Sequence, residues 1–207
     1  MSHIHSQILG CAFIPREPGR RHAPLADTLP DATLMEQVVA GDDDAFVSLV
    51  SRHERVLFNY LLRMTQDEAL AADLMQETWL RVFQHARRYD PTRTFSTWML
   101  RIAYHCCLDA LRWRQRLERQ AAQTQLPAPY PVHQRDDPQE SLLCQETLAA
   151  VRAAVQTLPE PHRAVFILRH YHGLSYEEIS DVVQCAPGTV KSRLHYAVRH
   201  LQQTLAA

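Results

Sequence analysis

The stretch from residue 175 to residue 201, SYEEISDVVQCAPGTVKSRLHYAVRHL, contains two short amphipathic runs separated by only a few residues. Ser175 followed by Glu178 has the S-x-x-E spacing of a capping box, which predicts that a helix begins there. The inner face of this helix would be apolar and would comprise Ile179, Val182 and Val183. It should end near residues 184–186, and Pro187 suits the first turn of a following helix because its fixed φ and missing N–H fit that position. We therefore predict two helices joined by a tight turn.

The second run divides into two faces when its residues are placed at 100° intervals. Its apolar side comprises Val190, Leu194, Ala197, Val198 and Leu201. Its hydroxyls, rings and cations lie on the opposite side and flanks: Thr189, Lys191, Ser192, Arg193, His195, Tyr196, Arg199 and His200. Such a pair is typical of a helix-turn-helix, whose second helix enters the major groove of DNA. A helical hairpin with a solvated basic face has the same spacing and remains an alternative.

Composition limits the remaining choices. The 207 residues are 46% hydrophobic, which fits one large or two small domains, and no alternating strand pattern is visible. The net charge is only −1, so nucleic-acid binding would have to depend on local charge. Residues 81–119 do contain nine arginines against three acids, whereas the stretch before Arg81 is acidic.

The periodicity divides the chain into segments. A helical pattern runs over residues 33–118, with Gly41 as a C-cap and the DPTRT loop at 90–94 as a turn. It returns over residues 140–205. Residues 119–139 are rich in Pro, Gln and Ala and predict a flexible linker, and residues 1–32 predict a disordered tail. The expected fold class is therefore all-α, with two small helical domains joined by a flexible linker.

Two helices of the first domain are informative. In the helix around residues 73–80, Leu80 falls within a polar face formed by Asp73, Gln76, Glu77 and Gln84. An exposed apolar residue framed by polar ones indicates a protein-docking site, although a solvated helix face is the alternative. The helix over 95–114 also has two different sides. Its inner side is a stripe of small residues: Leu100, Ala103, Cys107 and Ala110. Its outer side carries Trp98, Arg101, His105, Asp109 and Arg112, and Tyr104 lies near the boundary. Aromatic rings interleaved with cations suit unpaired DNA, but rings at helical spacing are also common in cores.

Three motifs occur in a fixed order: DLMQETWLRVF (73–83), FSTWMLRIAYHCCLDALRWR (95–114) and LPEPHRAVFILRHYHGLSYEEISDVVQCAPGTVKSRLHYAVRHL (158–201). Together they resemble the extracytoplasmic-function (ECF) sigma factors of bacterial RNA polymerase over residues 33–205. The resemblance implies a protein without an active site or cofactor that binds core RNA polymerase. It would direct transcription initiation by recognising the −35 and −10 promoter elements and by aiding promoter melting. Its expected partners are core polymerase and promoter DNA, with an anti-sigma factor as a further candidate.

The resemblance also implies residue roles. The core-polymerase-binding residues would be Asp73, Gln76, Glu77 and Leu80. The −10 residues would be Arg93, Thr94, Phe95, Ser96, Arg101, Tyr104, His105 and Arg112, with the loop from Asp90 through Ser96 capturing a flipped base. The −35 residues would be Thr189, Lys191, Ser192, Arg193, His195 and Tyr196, with Thr189 and Arg193 on phosphates.

The sequence departs from the family pattern at a few positions. His105 stands where the family usually has Asn, which bears on −10 recognition, and Tyr196 and Val198 stand where cations are common. Gln184 replaces a frequent turn glycine, and if that position needs φ > 0 the glutamine is strained.

Other classes of protein fit less well. The histidines suggest metal sites at His170/His172, His3/His5 with Cys11, and His195/His200, but none has the four-ligand spacing of a zinc site, so we predict no metal. Cys106 and Cys107 are interpreted as small core residues rather than a redox pair. A free-standing helix-turn-helix regulator remains the alternative function, and it would bind duplex DNA alone as a dimer. No phosphate-binding loop or nucleophile elbow indicates an enzyme.

The expected location is cytoplasmic. An odd number of cysteines, five, without framework spacing favours a reducing compartment. No run is long and apolar enough for membrane insertion. The ILGC stretch at 8–11 has a faint likeness to a lipoprotein cleavage site but lacks a basic region and an apolar core before it.

Overall fold

The computed structural model of the 207-residue chain describes residues 29–124 and 150–205, and within these two ranges every regular element is helical. The predicted all-α class is confirmed. Most of the segments interpreted as tail and linker (residues 1–28 and 125–139) lie outside the described residues. The elements in chain order are α1 Asp31–Ala40, α2 Asp43–Thr65, α3 Glu68–Gln84, a 3₁₀ turn at Ala86–Arg88, α4 Phe95–Thr124, α5 described at 150–156, α6 Glu160–His170, α7 Tyr176–Val183 and α8 Pro187–Leu205.

Short polar residues determine where the first helices begin and end. Gly41 closes α1 with φ 98°, a left-handed conformation that glycine adopts without steric cost, as predicted. The Asp42 carboxylate accepts the N–H groups of Asp44 (3.0 Å) and Ala45 (3.3 Å), which starts α2. The Asp67 carboxylate accepts the N–H of Leu70 at 3.1 Å and starts α3 in the same way. These caps turn the chain sharply and set α1, α2 and α3 against one another.

The core of the first domain lies between α2, α3 and α4 and is strongly aromatic. The Phe46 ring meets the Trp79 ring edge-on at 5.9 Å, and Trp79 stacks near Phe95 at 6.4 Å. Cys106 and Cys107 are buried in the same core, and burial raises the pKa of the Cys107 thiol to about 12. Both cysteines therefore occupy the small-residue positions expected of them.

Two predicted boundaries differ from the structure. Helix α1 begins at Asp31, two positions before the predicted Thr33, and the Asp31 carboxylate is bound there by Arg52 and, at 2.8 Å, by His53 Nε2. Helix α4 continues to Thr124, six residues into the predicted linker 119–139. Residues 115–124 have good helix propensity, because they are mostly Gln, Arg, Ala, Leu and Glu and contain no Gly or Pro. The polar composition of residues 119–124 indicated a linker, but their high helix propensity extends α4 through them.

The helix-turn-helix forms as the sequence predicts. Ser175 Oγ accepts the Glu178 N–H at 3.1 Å while Glu178 Oε2 accepts the Ser175 N–H at 2.8 Å, which completes the capping box. Helix α7 ends at Val183, and Gln184 adopts φ 51° and ψ 52°, the left-handed conformation anticipated for that position. Helix α8 then begins at Pro187.

The two helical halves pack against each other. Helix α4 lies against α7, and α2 lies against α6. Buried residues of both halves, among them Leu61 and Leu100 from the first and Ile167 and Ile179 from the second, belong to one continuous apolar core. This contact positions the helix-turn-helix relative to the loop at residues 90–94.

Candidate nucleic-acid interface

Helix α8 presents its polar side to solvent. Val190, Ala197 and Leu201 are buried, which fixes the rotation of the helix. The −35 residues predicted from sequence fall on the other side: Lys191, Ser192, His195 and Tyr196 are exposed, and Thr189 and Arg193 are half-buried. Four of these six side chains are therefore accessible to a major groove in this arrangement.

Two cations share one tyrosine ring beside the N-terminus of α8. The Lys191 ammonium lies 5.6 Å from the centre of the Tyr176 ring, and the Arg169 guanidinium lies 5.1 Å from it. Arg169 also donates a hydrogen bond to the Leu174 carbonyl at 2.8 Å, so its position is fixed. Neither cation forms an ion pair within the described ranges. Sequence reasoning missed Arg169 because it lies on α6, outside the two-helix motif.

Tyr196 replaces a common cation, and the structure gives its ring two histidine neighbours. The His162 ring centre is 4.6 Å away, and the His200 ring lies nearly parallel to it at 6.0 Å. His200 Nε2 in turn lies 2.9 Å from Thr157 Oγ1. Burial, with a smaller effect of nearby Arg193, lowers the pKa of His162. The Tyr196 ring is therefore held between two histidine rings and offers a flat, half-exposed surface.

Arg193 points towards the first domain. Its Nη1 lies 3.7 Å from Cys185 Sγ, at the turn between α7 and α8. Its charge also opposes the effect of burial, which raises the pKa of Tyr104 on α4. Arg193 is thus an element of the contact between the two halves as well as of the recognition helix.

The predicted −10 residues divide by exposure. Arg93, Thr94 and Arg112 are exposed, and Ser96, Arg101 and His105 are half-buried. By contrast, the side chains of Phe95 and Tyr104 are only 2% and 4% exposed. The predicted −10 set is therefore only partly accessible.

Trp98, predicted on the outer side of its helix, is buried at 5% exposure. Its ring packs against Tyr89 (5.3 Å) and Phe95 (6.1 Å). The loop before α4 folds back and brings Tyr89 over this position, and helical periodicity alone does not reveal such a cover. The core alternative is the correct one for this ring.

The loop at residues 90–94 is ordered by its own hydrogen bonds. Asp90 Oδ1 accepts the Thr92 hydroxyl at 2.7 Å and the Thr92 N–H at 3.0 Å, and these two bonds, with nearby Arg93, lower the pKa of Asp90. The Tyr89 hydroxyl donates to the Arg93 carbonyl at 2.7 Å. The Phe95 ring lies below, 5.0 Å from the His53 ring and in contact with Tyr89. Phe95 therefore anchors the loop to the core instead of projecting from it.

The polar face of α3 is as the sequence indicates. Asp73 is exposed, Gln76, Glu77 and Leu80 are half-buried, and Trp79 behind them is buried. Glu77 Oε1 accepts a hydrogen bond from Arg81 Nε at 2.7 Å. An accessible leucine thus lies within a polar face on the outside of the first domain.

The histidines do not assemble into a metal site within the described ranges, where no group of three or more potential ligands is present. His170 packs against the Phe166 ring at 4.5 Å. His172 lies against the Tyr60 ring at 5.7 Å, and burial together with nearby Arg63 lowers its pKa to about 4. The predicted group of His3, His5 and Cys11 lies outside the described residues. Among the described helices, none has the length and apolarity needed to span a bilayer.

Comparisons with known proteins agree with this arrangement. Residues 49–117 match the model of Sigma-70 region 2, and residues 148–201 match that of Sigma-70, region 4. The RNA polymerase sigma-H factor of Pseudomonas aeruginosa is 31% identical over 180 residues, a match covering 84% of this chain and 93% of that protein. The RNA polymerase sigma factor CarQ of Myxococcus xanthus is 32% identical over 171 residues, covering 83% and 95%. The ECF RNA polymerase sigma factor SigW of Bacillus subtilis is 28% identical over 176 residues, covering 83% and 94%.

Two solved structures share the fold. The sigma factor RpoE in complex with the anti-sigma factor NepR from Bartonella quintana aligns with a TM-score of 0.66 at 22% identity, covering 78% of this chain and 97% of that one. CnrH in complex with the cytosolic domain of CnrY aligns with a TM-score of 0.63 at 23% identity, covering 85% and 97%. Both have the helical architecture described above.

The chain matches the two family models in the order in which the motifs occur in its sequence. It is also more than 30% identical to relatives that it covers over nearly their whole length. Proteins of this kind are not enzymes; they bind core RNA polymerase and promoter DNA to start transcription. The chain belongs to the extracytoplasmic-function sigma factors of the sigma-70 family.

Proposed function

We propose that this sigma factor divides its work between two domains, residues 33–118 and residues 140–205. The first binds core polymerase and the −10 element, and the second binds the −35 element. The observation that carries this proposal is the exposed row Lys191, Ser192, His195 and Tyr196 on the helix that follows the capped turn.

The α3 face serves as the core-polymerase surface. Leu80 supplies an apolar contact, and Asp73, Gln76 and Glu77 surround it with a polar rim, as at protein–protein interfaces generally. The buried Trp79 behind it supports the helix, so this face is presented by a rigid element.

The −10 element binds the loop and the outer side of α4. Arg93 and Thr94, with Ser96, Arg101, His105 and Arg112 along the helix, supply cations and hydroxyls for phosphates and base edges. A flipped base costs a few kcal/mol of unstacking, which contacts in the loop offset and thereby aid melting. The Phe95 ring supports the loop from below. The Tyr104 side chain is only 4% exposed, so it contacts the −10 element only after the residues that bury it move aside.

The −35 element binds α8. Lys191, Ser192, His195 and Tyr196 face the groove, and Thr189 and Arg193 bind phosphates. Fewer cations on this helix than is usual in the family predict a shallower dependence of −35 binding on salt.

The protein acts in the cytoplasm, where core polymerase and the chromosome are. An anti-sigma factor controls it by covering the two domains together. One solved structure that shares its fold, the sigma factor RpoE of Bartonella quintana, is bound to the anti-sigma factor NepR, which supports this proposal.

Run-off transcription with purified core polymerase and a genomic promoter library tests the function. We expect new transcripts that start downstream of paired −35 and −10 sequences. If Lys191 contacts a base, Lys191→Ala weakens −35 binding by about 1–3 kcal/mol and relaxes specificity at one position; equal loss on all sequences indicates a phosphate contact instead. Arg152→Ala, on the exposed side of α5, is the matched charge control. If polymerase starts no new transcripts with the chain present, the proposed function is wrong.

A further inference from the structure

We propose that Tyr196 reads the 5-methyl group of one thymine in the −35 element, and that His162 and His200 position its ring for this contact. The contact deepens the −35 role proposed above for α8, on which it rests. Tyr196 is then a residue that determines which sequence is bound. The two histidines are positioning residues, because they act through Tyr196 without touching DNA themselves.

Tyr196 lies in the middle of α8 and on its outer side. The residue is 48% exposed, whereas the next one, Ala197, is completely buried. Ser192, which lies about one turn earlier on the same side, is exposed as well. The Tyr196 ring is therefore on the side of α8 that can face a major groove.

One histidine reaches the ring from the neighbouring helix. His162, in the first turn of α6, has its ring centre 4.6 Å from that of Tyr196, and the two planes are inclined at 51°. Nδ1 of His162 is buried and has no hydrogen-bond partner within the described ranges, so no hydrogen bond at this atom holds the ring. Burial, with a smaller effect of nearby Arg193, lowers the pKa of His162 and so favours its uncharged form. At this distance the imidazole packs against Tyr196 as one ring against another.

The other histidine reaches the ring along α8 itself. The His200 ring lies one turn after Tyr196 and within 7° of parallel to it, at 6.0 Å between the ring centres. The Thr157 hydroxyl donates its proton to the Ala154 carbonyl at 2.7 Å, so the hydroxyl oxygen accepts the Nε2–H of His200 at 2.9 Å. This hydrogen bond ties the His200 ring to the end of α5.

Three helices therefore hold one tyrosine. Helices α6 and α8 each supply a ring that contacts it, and α5 anchors the second of these rings. A side chain that is already ordered loses less conformational freedom on binding than one that rotates freely. The exposed part of the Tyr196 ring is thus presented at a fixed place and angle, as a contact with a single chemical group requires.

The chemistry of the ring selects thymine. In the major groove, the 5-methyl group of thymine is the apolar feature of the base edges, and the other groups are hydrogen-bond donors and acceptors. The exposed ring surface is apolar and carries no positive charge, whereas the cations common at this position suit guanine or phosphate. The base pair opposite Tyr196 should therefore be A·T, in the orientation that brings the methyl group to the ring.

Deoxyuridine tests this contact because it differs from thymidine only in lacking the 5-methyl group. The full chain bound to core polymerase is titrated with a promoter duplex from the run-off library in which each −35 thymine is replaced in turn. The salt concentration is held constant, because phosphate contacts depend on it. At one thymine we expect deoxyuridine to weaken binding about 3- to 5-fold, as the loss of one buried methyl group predicts.

Variants of the three rings identify the source of this methyl effect. Tyr196→Ala should abolish it, and Tyr196→Phe should retain it because the ring remains. His162→Ala and His200→Ala should each reduce it to below about 2-fold, because the Tyr196 ring is then free to move. His162→Phe and His200→Phe restore a ring and should restore the effect. His170→Ala is the matched control, an exposed histidine at the other end of α6, and should leave the effect unchanged.

The outcomes separate positioning from folding and from the proposed function. A merely structural role of the histidines would lower the unfolding midpoint and weaken binding equally with thymine and with deoxyuridine, which contradicts positioning. The same deoxyuridine effects in the parent and in Tyr196→Ala would refute the methyl contact, and loss of the effect in Tyr196→Phe would refute contact through the ring. Each of these results leaves the proposed function standing if transcription still starts downstream of −35 and −10 sequences. Absence of such transcripts would overturn both.

Discussion

Replacing Gln184 with glycine should stabilise the helix-turn-helix. Gln184 adopts φ 51° at the end of α7, where its N–H donates to the Ser180 carbonyl, and its side chain is exposed. The left-handed conformation costs a non-glycine residue about 1–2 kcal/mol. Glycine removes that cost but loses about 0.5–1 kcal/mol more backbone entropy on folding. The net gain in the free energy of unfolding is therefore about 0.5–1 kcal/mol.

Urea denaturation of the full chain, followed by far-ultraviolet circular dichroism, measures this gain. The midpoint should rise without a change in the denaturant slope, because the exposed surface stays the same. Gln184→Ala is the matched control: it removes the side chain beyond Cβ but keeps Cβ and with it the unfavourable φ, so it should gain no stability. Gly41→Ala is the reverse test, because φ is 98° there and an added Cβ would have nothing within 4 Å. The left-handed conformation then costs alanine about 1–2 kcal/mol, and the lower backbone entropy that alanine loses on folding offsets about 0.5–1 kcal/mol of it, so the net loss is about 0.5–1 kcal/mol.

The comparison with alanine decides the matter. If Gln184→Gly and Gln184→Ala have the same midpoint, backbone strain at this turn is not what limits stability, and the reasoning is refuted.

Leu80→Arg should abolish binding to core polymerase in a pull-down while leaving the unfolding curve unchanged; loss of folding would show that Leu80 acts in the core instead. His172 has a folded pKa of about 4, below the ordinary value of 6.5 expected after unfolding, so the unfolded chain takes up the proton first and stability present above pH 6.5 should fall by about 1–2 kcal/mol as the pH drops towards 4. His172→Phe should flatten this dependence, and an unchanged pH profile would contradict the assignment. Cys106 and Cys107 should stay unmodified by a thiol reagent in the native chain at pH 8, because both are buried, and should react on unfolding; rapid native labelling detected by peptide mass spectrometry would contradict their place in the core.

The helix-turn-helix could be predicted almost completely from sequence because its determinants are local. Ser175 and Glu178 are three residues apart, and Pro187 fixes the next start within one turn. The left-handed conformation of Gln184 was only a conditional expectation, based on the glycine that the family often has at this turn, and the structure shows it with φ 51°. Contacts between residues only a few positions apart can be predicted from the local sequence.

Features that depend on distant residues were not predictable in the same way. Trp98 was predicted on the outer side of its helix but is buried, because its ring packs against Tyr89 and Phe95. The contact between Arg93 and Asp181 joins two domains, and no pattern in either segment indicates the other. Periodicity identifies which side of a helix is apolar, but tertiary packing decides whether a polar or boundary position is also covered.

The length of α4 has a mechanical consequence. Its 30 residues make a rod about 45 Å long that begins at the loop proposed to capture a base and ends at Thr124. The C-terminal end of α4 is therefore on the same rigid helix as the loop. That end shifts by about 1.5 Å along the helix axis and turns by about 100° around it for each residue deleted there. Deletions near that end would therefore change where the connection to residues 150–205 starts, while the loop at residues 90–94 and the helices packed around it stay unchanged.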